Sequence, residues 1–225
     1  MLFRSVFGVS GHIRVIRNFV NCDLYCPDPQ KSKAGEYAPK GEKLLIHLSN
    51  FRPVKRVGDC IRILAEVVKK APAHLLMVGD GPERGPAEHL ARDLGVYDHV
   101  TFMGKQNHVE RLLPVAHVLL MPSELESFGL AALEGMACGV VPVTTRVGGV
   151  PELVTHEFDG FLEPVGDVAA QSARVLQLLT DDALHRRMSE MARLTAMDRF
   201  CTEKIIPAYE RYYQEVAEAR PASVV

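Results

Sequence analysis

Glu126 and Glu134 stand eight positions apart in "SELESFGLAALEG", residues 123–135, with a Ser-Phe-Gly turn between them and small residues behind it. Two carboxylates first suggest general acid/base hydrolysis. Spacing argues against that: eight residues of helix span about 12 Å, whereas paired glycosidase carboxyls lie roughly 5 to 9.5 Å apart. Separate binding duties fit better, because a carboxylate accepts two hydrogen bonds and so suits vicinal sugar hydroxyls. Ser127 is a good N-cap, Gly129 permits close approach, and Leu130 to Ala137 are helix formers ended by Gly139. A helix starting near Phe128 aims unpaired N–H groups and its dipole at an anion. An acid on each side of such a helix start would hold two sugars joined by a diphosphate, the layout of a nucleotide sugar.

Ligand-type residues recur in four other loops. "SNFRPVKR" gathers Arg52, Lys55 and Arg56; alone it is a solvated basic loop, but at the carboxyl end of a strand it becomes an anion site. "GDGPERG" sets Gly79 and Gly81 where a tight turn or a ligand against the backbone is served equally well. Its glycines match neither a P-loop nor the dinucleotide fingerprint. "GKQNHVE" offers Lys105 and Gln106 to a base, while His108 fits a surface or cap position better than a catalytic one. In "RVGGVPELV", Gly148 and Gly149 again allow a close backbone.

Each of these loops follows a short apolar run: "KLLIHLS", "AHLLMVG", "HVTFMG", "HVLLMPS" and "VVPVTT". Continuous apolar runs of this length predict strands buried on both faces, as in a parallel sheet. Between them, residues 59–70, 85–94 and 107–116 have helical spacing. Alternation of strand and helix predicts an α/β chain with a doubly wound, Rossmann-like parallel sheet, where ligands sit beyond the carboxyl ends of the strands. From Asp167 the chain turns to helices only, breaking at Thr180-Asp181-Asp182. A last helix has Thr202 as its expected N-cap and an apolar stripe of Ile205, Ile206, Tyr209, Tyr212, Tyr213 and Val216. Residues 27–42 are expected to be a solvated loop.

A length of 225 residues with 47% hydrophobic and 24% charged side chains describes a globular chain. Its net charge of -2 gives no electrostatic reason to expect nucleic acid or an anionic membrane. No apolar run approaches the roughly 18 residues of a membrane span, and the N-terminus has no signal-peptide pattern. Five cysteines with only one close pair, and no histidine pair at zinc spacing, predict reduced thiols, a cytoplasmic setting and no metal or cofactor.

Glu126-x7-Glu134 with its "SFGLAAL", together with "VGDGP", "VTFMGKQ" and "GGVPELV", resembles the C-terminal, donor-binding half of retaining GT-B glycosyltransferases of family 4. The likeness runs from about Ile13 to Val216. "LSNFRPVKRV" and "FMGKQNHVERLL" narrow it to a branch moving N-acetylglucosamine from UDP-GlcNAc to L-malate in bacillithiol biosynthesis. The resemblance implies that Glu134 accepts the ribose hydroxyls and Glu126 those of the hexose. Ser127, Phe128, Gly129 and Leu130 then serve the diphosphate and sugar, and Lys55 neutralises the diphosphate, making Lys55 and Glu126 the catalytic candidates. Lys105 and Gln106 would meet the uracil, with Gly79 and Gly81 beside the donor. Many family members carry Arg where this chain has Asn50, so Arg52 or Arg56 would supply that charge. Retention implies front-face attack, with a donor phosphate oxygen helping to take the proton.

The resemblance also implies an organisation. Residues 1–20 are a hinge-proximal remnant whose extreme N-terminus could be foreign to the rest, with "IRVIRNFVN" as the strand entering the domain. Residues 21–200 form the nucleotide-sugar domain, 201–218 the helix crossing back to an N-terminal acceptor domain missing from this sequence, and 219–225 a tail. A chain of this kind is expected to be inactive, or nearly so, alone. Other readings are a family-4 transferase with another acceptor, a UDP-sugar epimerase, disfavoured by Glu-x7-Glu, and a non-catalytic UDP-sugar module associating through Tyr209, Tyr212 and Tyr213. Self-association into a homo-oligomer is left open.

Overall fold

The computed structural model describes residues 14–28 and 34–218. The expectations for the first dozen residues and for the tail 219–225 lie outside the described residues. In chain order the elements are α1 (Ala34–Tyr37), β1 (Lys43–Ser49), α2 (Val57–Val67), β2 (Ala73–Gly79), α3 (Arg84–Asp93), β3 (Val100–Gly104), β4 (Val118–Met121) and α4 (Leu130–Ala137). There follow β5 (Val141–Thr145), α5 (Val150–Leu153), β6 (Phe161–Glu163), α6 (Val168–Thr180), α7 (Asp182–Phe200) and α8 (Thr202–Glu218).

Among the described residues, six strands form one sheet in the order β3-β2-β1-β4-β5-β6, every neighbouring pair parallel. The order reverses between β1 and β4, where Leu45 faces Val118 and Ile46 faces Leu119. In such a sheet the crevice outside the carboxyl ends opens at this switch point. Side chains alternate across the pleat. Leu44, Ile46, Leu119 and Met121 pack under α4, α5 and α7, while Leu45, Val118, Leu120 and Val143 pack under α2, α3 and α6. The result is a three-layer α/β/α unit of the doubly wound, Rossmann-like type, closed by the expected helical C-terminal segment.

Several local expectations are corrected. The helix expected over 107–116 is instead two 3-10 turns, Val109–Arg111 and Leu113–Val115; Pro114 has no N–H to give and would clash with the carbonyl of residue 110 in an α-helix. Residues 27–42 include the short α1, and β6 was too short to announce itself. Residues 14–19 form no regular element, because only Val20 finds a parallel neighbour, at Cys201. Thr202 is the first residue of α8 rather than its N-cap, and its hydroxyl donates to the Val20 carbonyl at 3.1 Å. The Cys22 and Cys201 sulfurs are bonded, with Cα atoms 5.7 Å apart, so the expectation of wholly reduced thiols is corrected for that pair. No described helix is long and apolar enough to cross a membrane.

Candidate functional site

Beyond the end of β1, a chain of hydrogen bonds fixes the loop that carries Lys55. The buried His47 donates from Nδ1 to the Leu120 carbonyl at 2.9 Å, tying β1 to β4. Its Nε2 accepts from the Ser49 hydroxyl at 2.8 Å, and Ser49 Oγ accepts the Phe51 N–H at 3.1 Å. Burial pushes the His47 imidazole down to about 4, so it is neutral and the chain of donors has one direction. Phe51 is fully buried and adopts φ 41°, a region non-glycine residues rarely occupy. Its ring anchors the turn while the Pro53–Lys55 3-10 turn lifts Lys55 over the sheet edge.

The β4 side is built to meet it. Buried Thr144 and Thr145 of β5 donate to the carbonyls of Met121 at 2.9 Å and Ser123 at 2.5 Å. Glu124 N–H then donates to the Val54 carbonyl at 2.8 Å, joining the two loops. From behind, Gly148 and Gly149 press on the backbone at 126–127: a Cβ on Gly148 would come within 1.7 Å of the Glu126 carbonyl oxygen, and one on Gly149 within 2.3 Å of that of Ser127. Only glycine allows this approach. The consequence is an ion pair, Lys55 Nζ to Glu126 Oε2 at 2.6 Å, both side chains mostly buried. Ser123 Oγ lies 3.5 Å from the same oxygen.

A cavity of about 250 Å³ opens here, lined by Ser49, Asn50, Lys55, Ser123, Glu126 and the first turn of α4 at Leu130 and Ala131. It lies at the carboxyl ends of β1 and β4, the switch point. A larger cavity, about 890 Å³, is lined by Lys43, His117 and Gly139 at the amino ends of the strands, the wrong end for ligand chemistry in this architecture. Glu134 stands one turn along α4 from Leu130 and Ala131 and so shares their face. Burial pushes its carboxyl upward, while a hydrogen bond from the Tyr25 phenol holds it down. The phenol itself is pushed up to about 12 by its own burial and by Glu134.

Not every sequence candidate joins the cavity wall. Arg52 is exposed, and Arg56 gives its Nε to the buried Asp59 at 2.6 Å, so Arg56 is committed to the scaffold. Gly79 and Gly81 are required by loop packing: a Cβ on either would come within 1.8 Å of the Ser49 oxygen or 2.2 Å of the Asn50 oxygen. They shape the β1 loop from below. Lys105 and Gln106 are exposed after β3, two strands from β1, with Gln106 Nε2 donating to the Met103 carbonyl at 2.8 Å. Ser127 does not cap α4. The N-cap is Gly129 at φ 93°, so the helix begins at Leu130. Phe128 packs edge-on against Phe200, 5.6 Å between centroids.

Four contributors escaped sequence reading. His47 and Ser49 were legible only as the polar residues of an apolar run, Ser123 as a boundary, and Tyr25 carried no signal. A cation and a helix start flanked by two carboxylates can bind a diphosphate between two hydroxylated groups. A family profile described as "Glycosyl transferases group 1" matches residues 28–195. The chain belongs to the group 1 glycosyl transferases. This group 1 chain is 43% identical over 205 residues to the N-acetyl-alpha-D-glucosaminyl L-malate synthase of Bacillus anthracis, covering 91% of this chain and 54% of that protein. Its fold matches sucrose-phosphate synthase from Thermosynechococcus elongatus with a TM-score of 0.88 at 26% identity, over 97% of this chain and 56% of that one. Anabaena Alr3699/HepE in complex with UDP superposes with a TM-score of 0.82 at 23% identity, over 90% and 57% of the two chains. At that identity the likeness is one of fold. The group 1 chain spans about half the length of the curated relatives it matches.

Proposed function

We propose that these residues form the donor half of a retaining glycosyltransferase that moves N-acetylglucosamine from UDP-GlcNAc to L-malate. The observation that carries the reading is Lys55 meeting Glu126 above the start of α4 at the switch point. The 43% identity to the malate synthase supports the choice of donor and acceptor. In this reading the diphosphate takes Lys55 as its counter-charge together with the open N–H groups of the first turn of α4. Glu126, released from the ion pair, accepts hydroxyls of the hexose, and Glu134 accepts those of the ribose. As the glycosidic bond breaks, negative charge grows on the diphosphate, and Lys55 and the helix start stabilise it without reorganising. The acceptor attacks the face that the diphosphate leaves, and a phosphate oxygen takes its proton.

Calorimetric titration with UDP and UDP-GlcNAc, beside Glu134→Gln, tests the donor site. Binding by the unmutated chain and a loss of tenfold or more in the variant are expected; no binding, or equal affinity in the two, would sink the reading. The acceptor is tested by joining the chain to the amino-terminal half of a malate-using relative and assaying transfer. Failure with L-malate alongside success with another acceptor would remove the sharper assignment.

A further inference from the structure

Ser123 has no exposed surface, yet it borders the cavity beside Glu126. β4 ends at Met121, because Pro122 has no N–H to carry the ladder on. The carbonyls on either side of that proline are caught by β5: Met121 accepts from Thr144 at 2.9 Å and Ser123 from Thr145 at 2.5 Å. The Ser123 backbone is thus fixed to the sheet. Three residues on, the Glu126 carbonyl accepts the Gly149 N–H at 3.4 Å while Gly148 presses on it from behind. Between those two anchors the part left to move is the Glu126 side chain. Its Oε2 takes Lys55 Nζ at 2.6 Å and faces the Ser123 hydroxyl at 3.5 Å, the outer limit of a hydrogen bond. Among the described residues, that carboxylate is the one acceptor the hydroxyl reaches, and no donor reaches Glu126 Oε1.

We propose that Ser123 is a positioning residue of the donor site: once a diphosphate draws Lys55 away, the Ser123 hydroxyl takes over Glu126 Oε2 and holds the carboxylate with Oε1 turned to the hexose hydroxyls. The role rests on Lys55 meeting the diphosphate and Glu126 the hexose. An ammonium drawn to a phosphate leaves behind a carboxylate on a flexible side chain, and the rotamer freedom it regains must be given up again when the sugar binds. A second donor removes that cost. A neutral hydroxyl suits the task, because it rotates to whichever acceptor is open and yields to the ammonium while the ion pair stands, charge-assisted bonds being roughly twice as strong as neutral ones. It also brings no charge of its own to compete for the diphosphate. Since the hydroxyl is buried on the anchored end of β4 and already faces the oxygen, the exchange needs only a small turn of the carboxylate.

Calorimetry on the full chain, with UDP and UDP-GlcNAc as probes, tests the role through the difference between the two. Ser123→Ala should leave UDP at wild-type affinity and weaken UDP-GlcNAc roughly tenfold, the lower end for one hydrogen bond to a charged group. Glu126→Ala should show the same selectivity more strongly. In the Glu126→Ala background, Ser123→Ala should add nothing, because the hydroxyl acts through the carboxylate alone. A full loss carried over into that background would overturn the role. So would an equal loss for both probes, the mark of a displaced loop. Wild-type affinity for both probes in Ser123→Ala, beside a selective loss in Glu126→Ala, would overturn the role of Ser123 alone. Absence of selectivity in Glu126→Ala would overturn the hexose reading and the role of Ser123 with it, and a wild-type chain that binds neither probe would remove the donor site that both rest on.

Discussion

Lys55 and His47 show two ways in which a single side chain serves this site. Lys55 is the mostly buried cation at the cavity, paired with Glu126 at 2.6 Å. In the proposed function a ligand diphosphate replaces that carboxylate as partner, and charge-assisted bonds of this kind contribute about 1.5 to 3 kcal/mol each. Lys55→Met is therefore expected to weaken UDP roughly 10- to 100-fold with little change in melting temperature, as read by calorimetry and thermal unfolding. His47 acts on the scaffold. Its imidazole lies at about 4 in the folded chain against an ordinary 6.5, so the unfolded chain binds more protons between those values. Stability then falls as pH drops through that window, by on the order of 3 kcal/mol once pH is below about 4. Denaturant unfolding of His47→Asn should show a flatter pH dependence between 6.5 and 4, together with a loss at pH 7 for the missing bond to Ser49. An unchanged slope would move the acid sensitivity elsewhere.

At the scale of elements, each of the two loops that form the site is braced by glycines of a neighbouring loop. "GGVPELV" earns its glycines by pressing on the Glu126–Ser127 backbone, and "GDGP" does the same beneath Ser49 and Asn50. In the sequence these glycines looked equally suited to ligand contact, because a Cβ-free backbone serves either purpose. Gly148→Ala should cost 2 kcal/mol or more through the clash and the left-handed φ of 51°, and weaken UDP-GlcNAc by displacing Glu126. Gly85→Ala, in the first turn of α3 with open space around its Cα, should instead stabilise by about 0.5 to 1 kcal/mol and leave donor affinity alone. Equal effects of the two substitutions would refute the bracing role. The start of α4 carries the same lesson: Ser127 has the chemistry of a cap, but Gly129 at φ 93° is where the chain turns into the helix.

Across the whole molecule, the incoming segment and the last helix are stitched together beside the domain they flank. Val20 bridges Cys201, and Cys22 is bonded to Cys201 across 179 residues of chain. Thiol titration of the unfolded, unreduced chain should count three of the five cysteines, Cys26, Cys60 and Cys138, and five after reduction. Cys201→Ser should cost about 2 to 5 kcal/mol by releasing so long a loop, and five thiols without reductant would remove the bridge. Much of the fold was legible in advance. "KLLIHLS" and "AHLLMVG" are β1 and β2 residue for residue, since runs apolar at successive positions have only a sheet buried on both faces to go to. Helices and strands in turn left one parallel architecture. Glu126, Glu134 and Lys55 were legible as candidates because their types and their place after strands are local properties. Which groups meet is not a local property. The ion pair of Lys55 with Glu126 spans 71 residues and the Cys22–Cys201 bond 179. The sequence by itself determined the elements and the inventory of charged groups, through periodicity and residue type. The tertiary structure decided the partnerships, because strand order and loop packing set the distances between residues that no pattern along the chain relates.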